Sequence, residues 1–279
     1  MRAGHPAPGV VHRVLSGIET DLRIGLTSDG FPPHFEHQLQ PEAQFFAVGS
    51  PGRVLVVFAL PGDKLQGMAL PGGGTGYPVV LRVIATNAAG QIARIDTTRR
   101  FRSDQPLGKG QYLFGLEELK LAPGTWDVRL LVTEPGMDAG GAIGRIGVQV
   151  PESAELGLSD LVLGREGAGL TWQSAAGPVP LNPLDVFPPN GSAELYYELH
   201  GAVPDSTYQT DIEVKGVYGD AKGTVHLTFK EKARSSLVRA RRSIGLSKLE
   251  PGQYQITVTV TEQGTGKTAV QSRYLNVRE

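Results

Sequence analysis

A Pro-Gly turn leading into a strictly alternating run occurs twice in this chain, and the recurrence limits its architecture more than any other feature. The copies are Leu121–Glu134 (LAPGTWDVRLLVTE) and Leu249–Glu262 (LEPGQYQITVTVTE), at a constant offset of 128 residues. They share the leading Leu, the Pro-Gly pair and the closing Val-Thr-Glu. Pro presets φ for the second position of a tight turn and Gly accepts a positive φ at the next. An aromatic, Trp126 or Tyr254, follows each turn. Trp126, Val128, Leu130 and Val132 then share one face, as do Tyr254, Ile256, Val258 and Val260. Gln255, Thr257, Thr259 and Thr261 occupy the other, the period-two signature of a strand buried on one side. Two such copies in matching surroundings predict a duplicated β-sandwich.

Composition supports an all-β chain. The 279 residues suffice for two cores. Gly (37) and Pro (20) are abundant, and no stretch sustains helical spacing of apolar residues, so many short strands divided by turns are expected. A net charge of −1 supplies no bulk field for nucleic acid or an anionic membrane surface. With Cys at 0, disulfides, thiol catalysis and Cys-type zinc sites are excluded, while the compartment stays open. No apolar run approaches the ~20 residues needed to span a bilayer. The opening MRAGHPAPGVVHRVL has no apolar core of signal-peptide length, which leaves a cytoplasmic protein or a part of a longer exported one.

In chain order, residues 1–16 read as a loose lead-in. Ile18–Thr27 is an expected first strand and Phe31–Pro41 a loop. Arg53–Leu60 is a strand with Val54, Val56, Phe58 and Leu60 inward. Pro71–Gly76 is a glycine loop, Val79–Ala85 a strand, and Asn87–Gly90 turns it into Gln91–Thr97. Leu113–Leu119 is expected to form a helical turn. Pro135–Gly141 is a hairpin loop before a closing strand carrying Ile146, Val148 and Val150.

Pro151-Glu152 marks a boundary, after which the pattern restarts. Leu156–Leu163 resembles the first strand, and Gly164–Pro189 reads as a turn-rich connection. Ala193, Leu195, Tyr197 and Leu199 correspond to Val54, Val56, Phe58 and Leu60. Tyr208, Thr210, Ile212 and Val214 form the next inward face, then Val225, Leu227 and Phe229, then the basic Arg234–Arg242. Alternation in the terminal strand, Ala269–Val277, is imperfect, which predicts a bulge.

Two resemblances attach to these segments. Leu-x-Pro-Gly-x-aromatic at the head of a strand resembles the tyrosine-corner region of immunoglobulin-like and fibronectin-like sandwiches. GAIGRIGVQVPESAELGLSDLVLG (Gly141–Gly164) and LEPGQYQITVTVTEQGTGKTAV resemble the tandem β-sandwich region that follows the A-like domain in secreted bacterial von Willebrand factor A-related proteins. That resemblance implies an exported setting, periplasmic or secreted. The Asp-x-Ser-x-Ser metal motif of the A-like domain is absent, so metal-dependent adhesion is not implied, and the tail brings no catalytic residues with it.

Local motifs give little chemistry. Gly264-Thr265-Gly266-Lys267-Thr268 ends like a phosphate-binding loop. Thr261 stands where that loop needs a Gly, and a strand-like run follows where it needs a helix, so a hairpin turn is expected. His34, Glu36 and His37 could supply metal ligands by type. They sit in a Pro-bounded loop without further partners nearby in sequence, which favours a solvated loop. His200 and His226 alternate with apolar neighbours and are expected on sheet surfaces, as are Glu194, Tyr196 and Glu198. Glu117 and Glu118 are expected to solvate a turn. Asp205, Asp211 and Asp220 are too dispersed for a calcium loop. No Gly-x-Ser-x-Gly elbow occurs. Arg234, Arg239, Arg241 and Arg242, with Arg99, Arg100 and Arg102 as a rough counterpart, are expected to protect edge strands rather than bind nucleic acid, with a grip on an acidic partner as the alternative. Trp172 and the outward Tyr196 are too few for a sugar platform.

The sequence therefore predicts an all-β chain of two tandem immunoglobulin/fibronectin-like antiparallel β-sandwiches, at 17–152 and 153–279. The expected role is a non-catalytic interaction or spacer module with a protein partner, without a catalytic, metal or cofactor site and without a nucleic-acid partner or membrane span. Two alternatives stand beside it: a carbohydrate-binding module, and a hydrolase with a site between the two sandwiches.

Overall fold

A computed structural model of the chain describes residues 35–49, 52–152, 154–217 and 221–278. The expected lead-in, the strand at Ile18–Thr27, and His34 lie outside the described residues. The fold is all-β and sandwich-like, and the sole helical element described is a 3-10 turn at Gly62–Lys64.

The first half contains β1 (His37–Gln38), β2 (Glu42–Val48), β3 (Arg53–Pro61), β4 (Met68–Ala69), β5 (Thr75–Asn87), β6 (Ile92–Ser103), β7 (Tyr112–Lys120), β8 (Gly124–Thr133) and β9 (Ala139–Val150). The second contains β10 (Gly157–Leu158), β11 (Val162–Gly164), β12 (Leu170–Ser174), β13 (Gly177–Leu181), β14 (Val186–Phe187), β15 (Ser192–His200), β16 (Thr207–Gly216), β17 (Thr224–Lys232), β18 (Leu237–Gly245), β19 (Gly252–Glu262) and β20 (Thr268–Val277). Pairing follows the same plan in both. β3 lies between β2 and β7, and β15 between β10/β11 and β18. In the facing sheets, β6-β5-β8-β9 matches β17-β16-β19-β20. Each of these sheets ends in a two-residue parallel bridge, β1 on β9 and β14 on β20.

Alternation puts the predicted inward residues into two cores. Val54, Val56, Phe58 and Leu60 meet Val79, Leu81, Val83, Trp126, Val128, Leu130 and Val132 in one. Ala193, Leu195, Tyr197 and Leu199 meet Tyr208, Ile212, Val214, Tyr254, Ile256 and Val258 in the other. The aromatics that head the repeated strands are equivalently placed. Trp126 is buried, and its Nε1–H donates to the Ala122 carbonyl at 2.9 Å. Tyr254 is buried, and its hydroxyl lies 2.7 Å from the Glu250 carbonyl, again four residues back.

Several local expectations are corrected. Leu113–Leu119 is not a helical turn but the body of β7, paired with β3 along its length. Its LFGLEEL pattern misleads because Gly115 is there for packing: a Cβ would sit 2.0 Å from the ring of Phe58. β1 falls inside the expected Phe31–Pro41 loop, and β2, unrecognised in the sequence, follows it. The Gly164–Pro189 connection contains the β12–β13 hairpin and β14. Leu156–Leu163 is split into β10 and β11 around Ser159–Leu161. β20 has no bulge and pairs with β19 in one register from Thr261↔Thr268 to Gly252↔Val277. The register shift falls instead in β9, opposite Val128–Leu130, and leaves Ile146 40% exposed.

A third apolar cluster joins the halves. Phe46, Val48, Leu55 and Val57, on the outer faces of β2 and β3, pack with Val162, Trp172, Val179, Leu181 and Tyr196 of the second half. β3 and β15 are therefore buried on both sides.

Candidate functional site

The junction between the halves gathers a group of buried polar side chains. On β15 the outer positions Glu194, Tyr196, Glu198 and His200 were expected in solvent, yet all are buried. Their cover comes from the β12–β13 hairpin, the first half and arginines of β18. Strand pairing sets Arg239 directly opposite Glu198 and Arg241 opposite Tyr196. Arg239 Nε reaches Glu198 Oε1 at 3.3 Å, and Arg241 Nε reaches Glu194 Oε2 at 3.3 Å. Cross-strand opposite charges support a ladder and neutralise carboxylates that burial would otherwise penalise. The Tyr196 hydroxyl donates to Glu198 Oε1 at 2.6 Å, and the Gly49 amide of the first half donates to Oε2 at 2.5 Å.

Burial, then the neighbouring Glu198 charge, push the Tyr196 phenol above its ordinary range. Burial pulls the His200 imidazole down, although Glu198 Oε2 at 3.8 Å opposes that shift. Trp172 is 3% exposed and meets the Tyr196 ring edge-on at 5.4 Å. Its Nε1–H donates to Glu118 Oε1 at 3.1 Å. A shallow cleft of about 280 Å³ opens beside this group, lined by Gly49, Arg53, Trp172, Ser174, Glu198 and Arg239 among others.

A second polar group lies along β20. Gln271 and Arg273 take inward positions between Ala269 and Leu275, which is why the alternation reads as imperfect. Arg273 lies 4.3 Å over the Phe46 ring and donates from Nη2 to Gln44 Oε1 at 2.8 Å, both in the first half. Its ionic partner is Asp185 at 3.6 Å. Asp160, in the break between β10 and β11, accepts the Ala47 amide at 2.7 Å and the Gln271 side-chain amide at 3.1 Å. Gln44 also donates to the Asn182 and Pro183 carbonyls at 3.0 Å each. Burial raises both carboxylates, Asp160 in direction and Asp185 to about 6, with Arg273 opposing in each case.

The other sequence candidates are dispersed. Glu36 is exposed, while His37 Nε2 bonds the Lys64 carbonyl at 2.7 Å. Glu117 is not beside a turn but buried within β7, where Arg99 grips it with bonds of 2.6 and 2.8 Å. Glu118 pairs with Arg53 as well as Trp172. Asp211 accepts from Thr228 and Gln209, Asp205 pairs with Lys232, and Asp220 lies outside the described residues. His226 is largely exposed, as expected. Gly264–Thr268 is a hairpin turn, with the Glu262 amide bonded to the Lys267 carbonyl and β20 following directly. Arg242 crosses between sheets to Glu231 at 3.1 Å and lies over Phe229. Among the described residues, no group of three His, Asp or Glu side chains converges to hold a metal ion. No helix there is long and apolar enough to cross a membrane.

The buried outer face of β15 was missed because polar alternation ordinarily marks solvent. A usable signal was present: Arg239 and Arg241 repeat the spacing of Glu194, Tyr196 and Glu198. A scan against models of known protein families finds no match, and neither does a search of curated proteins.

Proposed function

We propose that the chain is a non-catalytic interaction or spacer module in which two duplicated immunoglobulin-like sandwiches, 17–152 and 153–279, are held at a fixed angle to present their sheet edges to a protein partner. In this reading the module belongs to an exported bacterial protein, periplasmic or secreted, as its resemblance implies. The observation that carries it is the engagement of the one interior carboxylate beside the cleft. Glu198 accepts from Tyr196, Gly49 and Arg239, three of its roughly four acceptor sites, and the Gly49 bond ties it to the first half. A charge held by an arginine and two hydrogen bonds serves a joint better than it serves proton transfer. An apolar patch reinforced by hydrogen-bonded charges is the chemistry of a rigid joint.

A sugar-binding role has one observation in its favour. The Tyr112 and Phe114 rings, both half-buried on β7, are parallel within 5° at a centroid distance of 6.1 Å. A glycan array together with esterase and protease panels, applied to the full chain, separates these readings. The interaction module predicts no saturable glycan signal and no turnover. A glycan signal lost in Tyr112→Ala, or turnover lost in Glu198→Gln, overturns it.

A further inference from the structure

The two arginine-rich strands differ in what their charges do. On β18, Arg239, Arg241 and Arg242 each hold a carboxylate, Glu198, Glu194 and Glu231 in turn. On β6 the sequence IARIDTTRRFRS carries four arginines against one aspartate. Asp96 is shared between Arg82 and Arg94, at 2.9 and 3.7 Å. Arg99 turns under the sheet to Glu117. Arg102 reaches only the Gly73 carbonyl, and Arg100 has no carboxylate partner among the described residues.

The backbone of β6 is equally unspent. β5 is its one ladder neighbour among the described residues, in an unbroken register from Thr75↔Ser103 to Thr86↔Ile92. No other backbone hydrogen bond leaves residues 92–103 there. Natural edges are usually blunted by shortness, Pro, a bulge or charged side chains, and β6 keeps only the last of these. β6 has 12 residues, no Pro and no register shift, and it starts with Ile92 at 70% exposure. β17 is shorter, and its Glu231 and Lys232 are paired with Arg242 and Asp205.

From this juxtaposition, among the described residues, of an open twelve-residue edge and unneutralised arginines on its outer face, we infer that β6 accepts an extended acidic peptide segment of the partner protein as an added strand, with carboxylates on alternate residues opposite Arg100 and Arg102. Main-chain bonds then supply affinity and the period-two charge match supplies selectivity. A second copy of β6 is the wrong occupant, because it brings the same arginine excess to the pairing. The inference rests on the interaction-module reading and names the partner chemistry for one of its edges.

The probe is a short capped peptide alternating Glu and Val, added to the full chain. Its comparators are the same peptide with Lys for Glu, and the Glu peptide interrupted by Pro. Binding is read by fluorescence anisotropy and by amide hydrogen exchange. Expected are salt-sensitive binding of the Glu peptide alone, slowed exchange along β6, and an affinity loss of at least about tenfold in R100E/R102E. K230E/K232E on β17 should bind as the parent does. Three results overturn the inference: no binding of the Glu peptide, equal binding of the Pro-interrupted peptide, or protection on β17 in place of β6. Failure of the underlying reading shows separately, as a glycan signal or catalytic turnover.

Discussion

The two copies of the Pro-Gly-aromatic stretch agree where they enter the core and part company where they leave it. Trp126 and Tyr254 are both buried and both bond the carbonyl four residues earlier, although one is an indole and the other a phenol. The next strand diverges. The bulge in β9 places Ile146 opposite Val128, while unbulged β20 places Arg273 opposite Ile256. At one topological position, then, the first half shows a part-exposed isoleucine and the second a largely enclosed guanidinium that reaches across to Phe46 and Gln44. The closing glutamates diverge too. Glu262 accepts the hydroxyl of Thr265 in its own turn. Glu134 accepts the Gln66 amide from another loop and keeps Oε2 buried without a hydrogen bond. An aromatic seated in the interior tolerates little drift, whereas strand ends are free to take on different neighbours.

The largest test of that contrast is Arg273→Ala against Ile146→Ala. Removing Arg273 strands Asp160 and Asp185 without their cation, and an uncompensated buried charge costs about 3–5 kcal/mol. Ile146→Ala on the part-exposed counterpart should cost about 1 kcal/mol or less. Equal losses in urea denaturation would show that the equivalent strands carry equal loads.

A smaller effect isolates the ionisation of Asp185. Burial lifts its folded pKa to about 6, above the 3.8 of a free side chain. The folded state thus holds this proton more tightly than the unfolded chain, and stability decreases as pH rises through 6. The protein should gain about 2 kcal/mol from this group between pH 7.5 and pH 4, and Asp185→Asn should remove that gain. Burial of His200 acts in the opposite sense below its ordinary range, so the difference between parent and variant is the quantity to measure. A pH profile identical in the two would refute the assignment.

The smallest prediction concerns the paired glutamates and is one of sign. Burial raises the Glu134 pKa, with the Gln66 amide and His37 opposing, so Glu134→Gln should be neutral or stabilising by a few tenths of a kcal/mol at pH 7. Glu262→Gln exchanges a charge-assisted bond for a neutral one and should destabilise by about 0.5–1 kcal/mol. Thermal melts with the same sign for both would erase the distinction.

How legible each part was follows from how many faces its residues serve. Strands with one buried side, such as Tyr208–Val214 and Tyr254–Val260, declare themselves by period two. β15 serves two interiors, and its Glu194 and Glu198 look solvated because their neutralising arginines are forty or more positions away. β7 hides behind Gly115, whose missing side chain is explained by the ring of Phe58, a fact of packing rather than of pattern. The β12–β13 hairpin is masked by Pro178 and Pro180, which are tolerable in a strand at a margin and discouraging in a prediction. The junction was written in two places: the matched spacing of the β15 carboxylates and the β18 arginines, and polar Gln271 and Arg273 where alternation calls for apolar residues.

The apolar outer face formed by Phe46, Val48, Leu55 and Val57 has a consequence for synthesis. A ribosome delivers these four side chains more than a hundred residues before Val162, Trp172 and Tyr196, which cover them. The nascent first half therefore carries a sticky surface for several seconds at ordinary elongation speeds. Holding chaperones would protect it during that interval, and a slow-down ahead of β11 would lengthen the exposure.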